Sequence, residues 1–315
     1  MDQGAAVIPR RGYLYVIAAA LLWAVSGVSG KFLFQRGVTP MELVQLRVTL
    51  ASGLLFAWFL LSHRERLRIA RRDILYFFIL GAVGMATLQF TYFYAISKIN
   101  VAVAILLEYL APAFIAIYSV VFAGERLTRP TLAALGGSLA GCYLAVGAYN
   151  FDLLAMNWKG IVVGIISAIS YAWYAVHGEH GMRRYDPWTV LFYALLFAGV
   201  CWNIVLPPLS AFRYTYSSVE WAWILYIGIF GTAIPFGFYS KGISLIRATR
   251  ASVTATLEPI AAGFVSFFFL DERLQPLQIA GGVLVIVSIL LLQMRKEYDD
   301  NTAALIRARR GDLDT

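Results

Sequence analysis

Ten long apolar runs, separated by short polar linkers, decide what this chain can fold into. They cover roughly residues 13–34, 41–61, 74–96, 101–123, 131–148, 158–176, 188–206, 221–239, 251–270 and 277–294. A helix of about 20 apolar residues crosses the hydrocarbon core of a bilayer. Inside that core a chain must satisfy its own backbone polar groups, which a helix does within one segment. The pattern therefore predicts an all-α integral membrane protein with ten transmembrane helices.

Composition supports this class. Of the 315 residues, 60% are hydrophobic and 14% are charged, whereas a soluble domain has about 45–50% apolar and about 25% charged residues. The net charge of +8 does not indicate nucleic acid as a partner, because the basic residues lie between the apolar runs and not in one accessible cluster. The first run continues too long for a cleaved signal peptide, so we expect it to be retained as a span.

Basic residues also predict the orientation of the chain. With the N-terminus inside, 19 of the 26 Lys and Arg residues fall in cytoplasmic segments, and the linker at 63–73 alone contains five. Positive residues concentrate on the cytoplasmic side of membrane proteins. We therefore expect both termini in the cytoplasm.

An internal repeat links the two halves of the chain. At an offset of 147 residues, Ile96-Ser97 aligns with Ile243-Ser244 and Pro112 aligns with Pro259. The same offset places the Glu-Arg-Leu sequence at 125–127 on its copy at 272–274. Because the offset stays constant through a charged linker, chance similarity between apolar helices does not explain it.

The repeat predicts the domain organisation. Residues 1–149 and 150–294 each hold five helices, and residues 295–315 form a cytoplasmic polar tail. Since five is odd, the second copy enters the membrane from the opposite side. Inverted repeats are common in secondary transporters, whose site lies at the interface between the repeats. We therefore predict a secondary transporter that works by alternating access.

The residues of this repeat resemble a known family. The sequences LEPIAAGFVSFFFLDERL and LAPAFIAIYSVVFAGERL, together with ALLWA in the first run and the spacing from Pro40 to Arg47, resemble the EamA branch of the drug/metabolite transporter superfamily. Within it, the chain is similar to bacterial amino acid exporters, especially those for aromatic amino acids. The resemblance implies a central cavity enclosed by the first four helices of each half, with the fifth and tenth helices at the side. Ala111 is the counterpart of Glu258, so the halves differ chemically at this point.

Two prolines lie inside predicted spans. Pro112 and Pro259 remove an amide donor and leave the carbonyls of Glu108 and Ala255 without their helix bonds. Each proline either forms a static packing kink or provides a hinge that shapes the cavity.

Three charged residues also lie deep in the apolar runs. Glu108 and Glu258 either meet a substrate ammonium group or a coupling proton, or are held by a structural hydrogen-bond partner. Arg47 is either a brace between helices or a binding group for a substrate carboxylate.

Several aromatic side chains lie too deep to be interfacial anchors, and aromatic faces suit a cavity for zwitterionic or aromatic solutes. Core packing is the alternative for each of them. The predicted substrate-binding residues are Trp23, Gln89, Tyr92, Glu108, Tyr109, Tyr171, Trp173, Tyr239 and Glu258.

Other function classes receive less support. A phosphate-binding loop for ATP and clustered catalytic histidines are both missing from the sequence, which disfavours an ATP-driven pump and a membrane-embedded lipid-modifying enzyme, so we expect no enzyme activity. A passive channel would not need inverted halves, and an exporter of other metabolites or drugs remains the main alternative.

The remaining expectations concern partners. We expect a small-molecule substrate and the lipid bilayer as partners, and no cofactor or metal, since Cys142 and Cys201 lie in apolar runs. Gly137 and Gly141, with the small residues at 280–282, suit close packing of the fifth and tenth helices or a homodimer through them.

Overall fold

The protein, seen in a computed structural model, consists of helices joined by turns and short linkers within the residues that the structure describes, which are 3–99, 101–122, 127–150, 157–262, 275–294 and 302–309. No strand occurs within these ranges. The helices, in chain order, are α1 (Gln3–Trp23), α2 (Ser26–Gln35), α3 (Pro40–Ser62), α4 (Ile74–Ile79), α5 (Ala86–Lys98), α6 (Val101–Glu108), α7 (Ala111–Val121), α8 (Arg129–Ala145), α9 (Trp158–Met182), α10 (Pro187–Val205), α11 (Ser218–Gly228), α12 (Ile234–Ala255), α13 (described at 258–262), α14 (Pro276–Met294) and α15 (Ala303–Arg309).

Seven helical stretches are long and apolar enough to span a membrane. They are Arg10–Gln35, Pro40–Ser62, Arg71–Lys98, Val101–Val121, Trp158–Met182, Pro187–Val205 and Ser218–Ala255. Pro276–Leu292 is a shorter apolar helix, and the 17-residue α8 lies where the fifth span is predicted. The all-α prediction is confirmed, and the count of ten spans stays a prediction. Residues 125–126 and 263–274, with the two Glu-Arg pairs and the rest of the predicted ninth span, lie outside the described residues.

Helix starts coincide with residues that cap them. Thr39 and Glu42 form a capping box around Pro40, and the Asp186 side chain accepts a hydrogen bond from the Trp188 amide next to Pro187. Such side chains satisfy amide groups that have no partner inside the helix. The second and seventh predicted spans therefore begin within one residue of α3 and α10.

Helix irregularities recur at related places in the two halves. Leu80–Met85 joins α4 to α5 as a π-helical segment, and Ile229–Ala233 does the same between α11 and α12. Non-helical turns interrupt the chain at 24–25, 109–110 and 256–257. Pro112 and Pro259 lie in the first turn after the second and third of these breaks.

The linker expected between the eighth and ninth spans is different in the structure. Its charges indicate a loop, but α12 continues through Lys241 and changes direction only at Arg247, whose φ of 70° and ψ of 161° are not helical. Backbone of this kind is costly for a residue other than glycine. The carboxylate of Glu179 holds it, because one oxygen accepts from Arg247 Nε at 3.1 Å and the other from the Ala248 amide at 2.8 Å.

The basic end of the bundle is tied by polar contacts. Arg184 pairs with Asp73 at 3.1 Å, which links the turn after α9 to the linker before α4. Arg307 of α15 donates to the carbonyl oxygens of Met182 and Tyr185 at 2.7 and 2.8 Å. The segment predicted as a polar tail thus contains a helix that packs against α9 and α12.

Four helix pairs form the most extensive packing in the described chain: α1 with α12, α3 with α10, α5 with α9, and α8 with α14. Each pair joins one helix from residues 1–149 with one from 150–294. The core therefore lies between the halves.

The pair α8 and α14 meets through glycine. A Cβ atom on Gly141 would lie 2.9 Å from the carbonyl oxygen of Gly281 and 3.0 Å from the Val285 amide nitrogen. Backbone approach this close requires small residues. The stripe predicted from Gly137 and Gly141 is therefore used for contact within the chain.

This contact makes Gly141→Ala destabilising. Overpacking against backbone atoms that have little room to shift costs about 1–3 kcal/mol, and the helix propensity of alanine returns no more than about 1 kcal/mol. Gly136→Ala is the matched control, since nothing lies within 4 Å of its added Cβ in the same helix. Thermal denaturation of the two variants in detergent checks this, and equal midpoints would contradict it.

Candidate functional site

A cavity lies where the interrupted helices meet, and its empty space, open solvent included, is about 460 Å³. Its walls combine aromatic and charged side chains from both halves and consist of Trp23, Ser26, Arg47, Leu88, Gln89, Tyr92, Glu108, Tyr109, Tyr171, Phe236 and Glu258.

The helix breaks deliver polar residues to this cavity. Trp23 and Ser26 flank the break between α1 and α2, Glu108 ends α6, and Glu258 begins the described part of α13. Irregular backbone at membrane depth is tolerated where it lines a cavity or is covered by protein. The breaks and the cavity therefore form one structural unit.

Arg47 reaches the cavity from α3 and is 2% exposed. Its Nε donates to Thr232 Oγ1 at 2.9 Å and its Nη2 donates to the Gly231 carbonyl at 3.0 Å, both in the π-helical segment before α12. The guanidinium carbon lies 4.6 Å from the centre of the Phe93 ring. These contacts support the brace interpretation. They use two of the five N–H donors of a guanidinium, and no described carboxylate forms an ion pair with it, so donors are left for a ligand.

The two carboxylates have different partners. Glu108 Oε1 accepts from Ser167 Oγ at 3.1 Å. Glu258, 5% exposed, has its Oε2 2.8 Å from the Tyr109 hydroxyl. Each carboxylate thus has one oxygen with a described partner and one without, and both side chains line the cavity.

Aromatic rings form one wall. The Trp23 ring lies 4.9 Å from Phe236 and 5.4 Å from Tyr239, and Tyr171 stacks on Tyr239 at 5.5 Å. The indole N–H of Trp23 is buried and has no acceptor among the described residues. This wall offers apolar area together with polar groups that a bound solute can contact.

Most of the predicted binding residues meet in this cavity, but two do not line it. Tyr239 lies behind Tyr171 and Trp23. Trp173 packs against Gly84 and against the His177 ring, whose centre is 4.2 Å away. Tyr171 and Trp173 are two residues apart on α9, and at 3.6 residues per turn they point about 200° apart.

Sequence reasoning missed Ser26, Leu88 and Phe236 as lining residues. The repeat offers a signal for Phe236, because the offset of 147 aligns it with Gln89, a predicted binding residue. Ser26 and Leu88 carry no comparable signal. Among the residues that the structure describes, no three His, Cys, Asp or Glu side chains cluster as a metal site would require.

A helical bundle of apolar spans around a polar cavity lined from both halves has the features of a membrane transporter. The model of the EamA-like transporter family matches residues 10–147 and 158–294. The chain belongs to this family, so the predicted family resemblance is confirmed.

Individual relatives agree with this class. The chain is 29% identical to the inner membrane transporter YicL of Salmonella typhimurium, covering 90% of this chain and 96% of that protein. It is 26% identical to the pseudopaline exporter CntI of Pseudomonas aeruginosa PAO1, over 81% of this chain and 87% of that protein. It is 28% identical to a probable terminal-alkyne amino-acid exporter of Streptantibioticus cattleyicolor, over 82% of this chain and 85% of that protein. A solved crystal structure matches with a TM-score of 0.71 at 21% identity, covering 89% of this chain and 95% of that one, which shows a shared fold.

The Arg47 contacts predict a specific stability loss. Arg47→Lys keeps the charge but lacks the planar guanidinium whose two N–H groups donate to Thr232 Oγ1 and the Gly231 carbonyl. A buried acceptor left without a donor costs about 1–3 kcal/mol. We expect a loss of this size in the free energy of unfolding, measured by denaturant titration in micelles. Arg72→Lys, at an exposed position, is the control and changes little. Equal losses in both variants would show that the guanidinium does not brace α3.

Proposed function

We propose that the protein is a secondary transporter that exports amino acids, aromatic ones included, or related small metabolites across the bacterial inner membrane by alternating access. The observation that carries this proposal is the chemistry of the cavity, in which Arg47 lies with Glu108 and Glu258 beside an aromatic wall. A zwitterion needs a donor-rich group for its carboxylate and an acceptor for its ammonium group. The same cavity provides both.

Arg47 suits the carboxylate end of such a solute. Its charge is buried, and charge-assisted hydrogen bonds from a guanidinium to a carboxylate are strong. Glu108 or Glu258 suits the ammonium end, because each has an oxygen with no described partner. The rings of Trp23 and Phe236 suit an apolar or aromatic side chain.

The relatives support the same class of substrate. One of the similar proteins is named as a probable amino-acid exporter and another as an exporter of pseudopaline. The inner-membrane location of the YicL relative supports that location for this chain.

Alternating access is supported by the relation between the halves. The offset of 147 residues nearly superposes the two π-helical segments, and it places the break at 109–110 on the break at 256–257. In the repeat, α5 corresponds to α12 and α9 corresponds to α1, so the α5–α9 contact and the α1–α12 contact are equivalent. The α3–α10 and α8–α14 contacts each join two corresponding helices. We propose two inverted five-helix repeats, ten spans in total, with Pro112 and Pro259 as hinges. A homodimer through helices five and ten would have to use faces other than the glycine stripe, which is occupied by the contact within the chain.

Transport by purified full-length protein in liposomes tests the substrate class. We expect efflux of labelled phenylalanine, and much slower efflux of phenethylamine and 3-phenylpropionate, which each lack one charged group. Because hydrogen bonds to charged groups contribute about 1.5–3 kcal/mol, Arg47→Lys and Glu108→Gln should each lower phenylalanine efflux about 10- to 100-fold. Glu65→Gln changes an exposed carboxylate in the linker and serves as the control. Efflux of cationic dyes alone would favour a drug exporter and refute the proposed substrate.

Cysteine labelling in intact bacteria tests the inverted arrangement. In a background with Cys142 and Cys201 replaced by serine, Arg10→Cys and Lys159→Cys place exposed thiols at the start of each half. A membrane-impermeant maleimide should label position 159 from outside and leave position 10 unlabelled until the cells are opened. Glu65→Cys should behave like position 10. Labelling of positions 10 and 159 from the same side would exclude inverted repeats.

A further inference from the structure

The Tyr109 hydroxyl lies between two acceptors. It is 2.7 Å from the Ala255 carbonyl oxygen and 2.8 Å from Glu258 Oε2. All these contacts are buried, and the Tyr109 side chain is 3% exposed. A phenol carries a single O–H proton, so it donates one full hydrogen bond at a time.

The Ala255 carbonyl depends on this donor. In an uninterrupted helix it would accept from the amide of residue 259, but residue 259 is proline and has no amide hydrogen. A carbonyl has no proton to donate, so at the Ala255 contact the proton comes from Tyr109.

Glu258 then decides whether both contacts are satisfied. A protonated Glu258 donates to the Tyr109 oxygen while Tyr109 donates to Ala255, and each contact has its own proton. An ionised Glu258 accepts only, so it competes with the Ala255 carbonyl for the single Tyr109 proton. Because hydrogen bonds to an ionised group are stronger than neutral ones, the carboxylate wins this competition.

We propose that Tyr109 couples the protonation of Glu258 to the helix break at 256–257. When Glu258 releases its proton to water in the cavity, the Tyr109 hydroxyl turns from Ala255 to the carboxylate and frees the carbonyl at the break. The Tyr109 proton stays on its oxygen and only changes acceptor. This inference rests on the proposed transport function, in which it assigns proton coupling to Glu258 and a positioning role to Tyr109.

The first half has no such arrangement. At the offset of 147 residues, Tyr109 corresponds to Thr256, and Glu258 corresponds to Ala111. Thr256 Oγ1 donates to the Val253 carbonyl, three residues earlier in the chain, at 2.6 Å, and Ala111 has no titratable group. The coupling therefore acts on one of the two proline breaks.

Other groups around Glu258 enter the test as alternatives. They face it from several helices and comprise Tyr92 of α5, Glu108 at the end of α6, Cys142 of α8 and Tyr171 of α9, with Arg47 of α3 in the same cavity. Glu108 is the other carboxylate among them, so it provides the matched control.

Infrared difference spectroscopy of the full-length protein across a pH titration tests the first step. The carbonyl stretch of protonated Glu258 should be lost in Glu258→Gln and retained in Glu108→Gln. In Tyr109→Phe it should shift to higher wavenumber, because the acid loses its hydrogen-bond acceptor. A Glu258 band that stays in place in Tyr109→Phe would overturn the proposal.

Hydrogen exchange of the peptide covering 251–262, in lipid nanodiscs and corrected for intrinsic rates, tests the second step. In the wild type, exchange should rise several-fold over the pH range in which the Glu258 band disappears. It should stay low in Glu258→Gln and high in Tyr109→Phe at every pH. If wild-type exchange does not rise over the pH range in which the Glu258 band disappears, the coupling is refuted. The comparison of wild type with Glu258→Gln is sufficient for this test even if Tyr109→Phe does not fold.

Neither measurement uses a transported solute. If liposomes show no amino acid efflux while the infrared and exchange results hold, the proposed function fails and the coupling stands. If efflux is found but the Glu258 band does not respond to Tyr109→Phe, the coupling fails and the function stands.

Discussion

The whole arrangement depends on one requirement, that a backbone carbonyl in an apolar slab must find a donor. Where this protein interrupts its helices, side chains from other helices supply that donor. Tyr109 donates to Ala255, Arg47 donates to the carbonyl of Gly231 and Lys31 Nζ donates to that of Ile96 at 2.8 Å. Two of these donors also line the cavity. Arg47 and Tyr109 thus make broken helices tolerable and also contribute to the polarity of the cavity.

Much of the fold is readable from the sequence, because its main signals are local. The length of each apolar run predicts a membrane-spanning helix, and capping residues such as Thr39 and Asp186 fix where α3 and α10 begin. The change of direction at Arg247 is not readable in this way. It is held by Glu179, 68 residues earlier in the chain, and no local pattern predicts such a partner. The charges of that linker are equally compatible with a loop.

The candidate site also has a part that the sequence predicts and a part that only the structure shows. Glu108, Glu258 and Tyr109 were predictable because polar groups deep in apolar runs are costly without a reason. Phe236 and Leu88 are ordinary apolar residues, so only their place in space distinguishes them. Trp173 shows the limit of selecting deep aromatics, since its phase on α9 turns it away from Tyr171. The halves share backbone breaks more closely than they share side chains, which leaves both cavity carboxylates, Glu108 and Glu258, aligned with alanines of the other half.

The glycine contact between α8 and α14 has a mechanical consequence. Two helices whose main chains touch have no layer of flexible side chains between them that could absorb sliding. They are expected to move as one body. Any rearrangement that opens the cavity to one side and then to the other must therefore move the other helices relative to this pair. The pair itself keeps its internal geometry.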